Sequence, residues 1–69
     1  MTELNNKQKA TAYSNAYRGV CKVDEVIERL RKCNDKMPME SAEYHLLELA
    51  LGALIDARGH LTIIANRCK

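Results

Sequence analysis

Sixty-nine residues make one small domain, which hides only about 60% of its unfolded surface on folding. Apolar residues form 46% of the chain, too many for a disordered tail, yet Phe and Trp are absent, so the core must be aliphatic. A net charge of +2 is too small to mark a nucleic-acid binder, no run of about 18 apolar residues offers a membrane span, and no basic start leads into an apolar secretory stretch.

The expected fold class is all-α: an antiparallel helical hairpin that dimerises into a four-helix bundle. Helix one is expected over about residues 5–34, a turn over about 35–38 and helix two over about 39–67. Asn5 suits an N-cap, with Gln8 reaching back to complete a capping box. Ala16, Val20, Val23, Ile27 and Leu30 then recur at alternating spacings of four and three, which keeps one stripe facing a partner helix. Gly19 lies inside this run and favours a kink, while Lys32 and Lys36 suit the negative pole of the helix dipole.

Asn34-Asp35-Lys36-Met37-Pro38 holds the only proline and is the clearest turn signal. Helix two can start at Pro38, favoured in a first turn, or be capped by Ser41. Leu47, Ala50, Leu54, Ala57, Leu61, Ile64 and Cys68 follow at heptad spacing, which favours one helix running unbroken through Gly59. At about 100° per residue, the apolar residues of helix two cover about two-thirds of its circumference, against the little over 100° that a surface helix needs. One partner helix cannot cover so wide a face. Leu46, Leu47, Leu51, Leu54, Ile55, Leu61 and Ile64 are therefore the candidate oligomer or partner interface, filled by a second copy in a homodimer or by another protein.

Charge reverses along the chain. Residues 1–23 carry a formal +3, 24–36 are neutral, 37–56 carry −4 and 57–69 carry +3. On helix one, Lys7, Arg18, Lys22, Arg29, Lys32 and Lys36 fall within about 80° of arc opposite the apolar seam. Such a stripe can follow a phosphate backbone or an acidic partner, and its ordinary reading is a solvated face. His45, Gly52, Gly59 and Asn66 line the narrow polar side of helix two, where small residues either admit a neighbouring backbone or simply meet water.

Chemistry-bearing motifs are sparse. Asp56 and His60, four apart, make a helix-surface pair, as do His45 and Glu48; neither has a nucleophile beside it. Cys21, Cys33 and Cys68 lack zinc-site spacing, and three thiols do not make a disulfide framework, which points to small buried hydrophobes in a reducing, cytoplasmic setting. Tyr13, Tyr17 and Tyr44 read as seam-edge residues with wet hydroxyls. The expectation is a non-enzymatic regulatory or adaptor protein, without cofactor, metal site or membrane segment, that binds another protein. RNA or DNA binding through the basic stripe is the alternative. Short helical chains of this kind are often accessory regulators of phages, plasmids or bacteria.

Overall fold

The computed structural model describes residues 3–69, and they form two helices, α1 (Asn6–Asn34) and α2 (Ala42–Arg67). Packed side by side, the two make the expected all-α hairpin. The capping box at the start of α1 is complete: the Gln8 N–H donates to Asn5 Oδ1 at 2.8 Å, and the Asn5 N–H donates to Gln8 Oε1 at 3.0 Å. Two of the first amides, orphaned in any helix, are thereby satisfied.

The connection runs to Ser41, so α2 begins a little after the expected start near residue 39, and of the two starts the sequence offers the Ser41 cap is the one realised. Ser41 Oγ accepts from the Tyr44 N–H at 3.1 Å and donates to the Pro38 carbonyl at 2.7 Å. Those two bonds fold residues 38–41 into a turn and leave Ser41, not Pro38, as the cap. Lys36 lies in this connection, its N–H bound to the Cys33 carbonyl at 3.1 Å, and thus sits beyond the end of α1. Beyond the turn α2 is unbroken through Gly59, and no glycine takes a positive φ.

α1 contributes the expected seam: Ala16 and Ile27 are buried, with Val20, Val23 and Leu30 half-buried. Along α2 and its C-cap the half-buried or buried positions are Tyr44, Leu47, Leu51, Leu54, Arg58, Leu61, Ala65 and Cys68. Leu47, Leu54, Leu61 and Cys68 match the predicted heptad. Ala50, Ala57 and Ile64 do not; their places are taken by Leu51, Arg58 and Ala65, one residue on. Two features fix this register. Leu61 seats against Gly19, where an added Cβ would lie 3.1 Å from Leu61 Cδ1. Arg58 Nη1 donates to Asp24 Oδ1 at 2.8 Å, so a charged pair occupies the middle of the seam. Near the turn, Asn34 Nδ2 donates to Glu48 Oε1 at 2.8 Å.

A single layer of two helices cannot enclose a core. Among the described residues only Ala16, Ile27 and Leu51 are buried, and Ile27 is the most enclosed at 2% exposure. The radius of gyration of 15.7 Å exceeds the ~11 Å of a compact chain of this length.

Candidate interaction surfaces

α2 presents two apolar faces. The first packs on α1 as described. The second follows Leu46, Ala50, Ala53, Ala57, His60 and Ile64, again at alternating spacings of four and three, with Leu49 on its margin. All seven are exposed; Leu46 shows 64% of its surface, Leu49 72% and Ile64 41%. This second seam is rotated roughly a quarter-turn from the first, so α1 cannot reach it.

The predicted interface residues therefore separate into three groups. Leu47, Leu51, Leu54 and Leu61 belong to the seam with α1, where Leu51 is 9% exposed. Leu46 and Ile64 lie on the open seam. Ile55 is exposed too, but helical spacing places it on the opposite edge of α2, away from Leu46. The sequence signal that separates the groups is Asp24 with Arg58. Opposite charges at the middle of each helix meet only if Arg58 faces α1, and that turns Leu46, Ala53 and Ile64 outward.

The basic stripe is solvent-facing throughout: Lys7, Arg18, Lys22, Arg29, Lys32 and Lys36 are all exposed. None of the six is in an ion pair; among the described residues the single pair is Arg58 with Asp24. Lys36 continues the stripe from the connection rather than from α1 itself. Its acidic flank is close, since Asp24, Glu25 and Glu28 share an open depression of about 370 Å³ with Arg29 and Lys32. Tyr13 and Tyr17 stack at 6.2 Å between centroids on the other side of α1. With Val20, Thr62 and Lys69 they line a groove of about 280 Å³ at the open end of the hairpin. The seam-edge reading of these tyrosines holds.

Three smaller expectations turn out differently. Cys21 and Cys33 are exposed rather than buried, because both fall outside the arc that faces α2; only Cys68 is half-buried. All three thiols are free. Asp56 and His60 come within no ion-pair distance, and neither do His45 and Glu48. His45 instead stands edge-on to Tyr44 at 6.0 Å, and Glu48 takes the hydrogen bond from Asn34. Among the described residues no three His, Cys, Asp or Glu side chains converge as a metal site, and no helix is long and apolar enough to cross a membrane.

Compared with known protein families, characterised proteins and solved structures, the chain matches none.

Proposed function

We infer that this chain is a small non-enzymatic regulatory or adaptor module that self-associates and acts by docking on another macromolecule, a protein. What carries the reading is the second seam of α2, open along its whole length on a hairpin with three buried residues among those described. Burying a Leu or Ile side chain contributes roughly 1.5–3 kcal/mol. Scaled by the part of Leu46, Leu49 and Ile64 that is exposed, the open seam forgoes roughly 3–5 kcal/mol, near the lower end of the 5–15 kcal/mol that typically separates folded from unfolded. Self-association recovers it. No residue in the reading needs a cofactor, and free thiols at Cys21, Cys33 and Cys68 suit a reducing compartment such as the cytoplasm. Light scattering across a concentration series tests it. The expected result is a mass above that of one chain at micromolar concentration, and a well-folded monomer there refutes the reading.

A second reading rests on the six unpaired cations of the α1 stripe, which suit an RNA or DNA backbone. Under it, wild-type chain is retained on immobilised nucleic acid at low salt, and Arg18→Glu with Lys22→Glu abolishes retention while helix content is unchanged. No retention of the wild type ends that reading.

A further inference from the structure

We propose that the open seam of α2 is covered by the same seam of a second copy, antiparallel, with a two-fold axis passing between Ala53 and Ala57. The proposal rests on the self-association reading above and specifies its partner and register.

Three observations carry it. The first is area. The chain exposes 5689 Å², whereas a compact monomer of 7.8 kDa exposes about 4,400 Å². The surplus, about 1,300 Å², exceeds the roughly 800 Å² that each partner loses in a stable complex of standard size.

The second is the order of side chains. A two-fold interface brings one patch against itself, so residue i of one copy meets residue j of the second and the reverse, and the patch must fit its own reversed copy. Leu46, Ala50, Ala53, Ala57, His60 and Ile64 are spaced symmetrically about residue 55, which is also the middle of α2. Leu46 of one copy stands level with Ile64 of the second, Ala50 with His60, and Ala53 with Ala57. Leu46 and Ile64 close the ends, the longer His60 meets the small Ala50, and the alanines at the centre allow the helices to approach. Full overlap of both α2 helices results.

Charge is the third. Residues 24–56, the turn half of the hairpin, carry a formal −4, while residues 3–23 and 57–69, the open half, carry +6. Antiparallel pairing sets each acidic turn half beside a basic open half, twice per dimer. Parallel pairing sets like against like and is disfavoured.

Spin labels read the register directly. With Cys21, Cys33 and Cys68 replaced by Ser, single labels are placed on the exposed positions of Asp56→Cys and Arg67→Cys in the full chain. At 1.5 Å rise per residue, the antiparallel register sets the two residue-56 positions about 3 Å apart along the axis and the two residue-67 positions about 36 Å apart. Short label distances at 56 and long ones at 67 are expected. Short distances at both show a parallel dimer, which overturns the register and leaves self-association standing. Absence of any inter-chain distance, with unlabelled chain running as a monomer, overturns self-association as well and gives the seam to a different protein. A charge exchange gives the second readout. Leu46→Glu is expected to weaken the dimer at least tenfold, and adding Ile64→Lys to restore it, because the introduced carboxylate of one copy then faces the introduced ammonium of the other. Failure of Ile64→Lys to rescue association while helix content persists counts against the register.

Discussion

Alanine at each of the three glycines separates helix propensity from packing. Glycine inside a helix costs about 1 kcal/mol relative to alanine. Gly52 and Gly59 both lie inside α2, and a Cβ added at either meets nothing within 4 Å. Each substitution is therefore expected to stabilise by about 1 kcal/mol. The two sites are about 10 Å apart along the helix, so their effects add. Gly19→Ala differs, since its Cβ comes to 3.1 Å from Leu61 Cδ1. Crowding a packed seam costs about 1 kcal/mol or more, which cancels the propensity gain and leaves the variant neutral or below. For a chain of this size about 1 kcal/mol moves Tm by roughly 4–8 °C. Thermal melts followed by circular dichroism, all at one protomer concentration because association makes Tm concentration-dependent, give the ranking. Expected is a rise for Gly52→Ala and Gly59→Ala and none for Gly19→Ala. A fall for Gly59→Ala refutes the continuous helix, and a rise for Gly19→Ala equal to the others refutes the seating of Leu61.

Ile27→Ala removes the most enclosed side chain and is expected to cost about 2–5 kcal/mol by urea titration. Asn5→Ala breaks the capping box and costs about 1 kcal/mol, with faster amide exchange confined to the first turn of α1. Asp24→Ala removes a pair whose side chains are 49% and 41% exposed, so solvent screening holds the loss to about 1 kcal/mol or less in the same titration. A loss well above about 1 kcal/mol would show that the pair holds the register more strongly than its exposure to solvent allows.

Much of the hairpin is legible in local chemistry. Asn5 with Gln8 marks the start of α1, the Asn34–Pro38 stretch marks its end, and the spacing of Ala16, Val20, Val23, Ile27 and Leu30 identifies its buried face. α2 is harder for a physical reason. It is apolar around so much of its girth that a fully apolar heptad runs through Ala50, Ala57 and Ile64, while the seam that forms runs through Leu51, Arg58 and Ala65. Periodicity alone cannot choose between them. The choice is made across the hairpin, by Asp24 meeting Arg58 and by the space that Gly19 leaves for Leu61. The start of α2 is obscured by two competing signals, and Ser41 prevails over Pro38 because its hydroxyl both caps the helix and closes the preceding turn. The thiols escape the usual tendency of cysteine to be buried because Cys21 and Cys33 fall on the outer arc of a helix with only one neighbour.

The cover over α2 is tested most directly by methyl relaxation from a soluble paramagnetic agent. Ile55, on the far edge of the helix, supplies the exposed reference, and Leu51, inside the seam with α1, the protected one. At concentrations where the chain is folded, the methyls of Leu46 and Ile64 are expected to be protected like those of Leu51. Relaxation of Leu46 and Ile64 as fast as that of Ile55, in a chain that still melts cooperatively, would contradict the account.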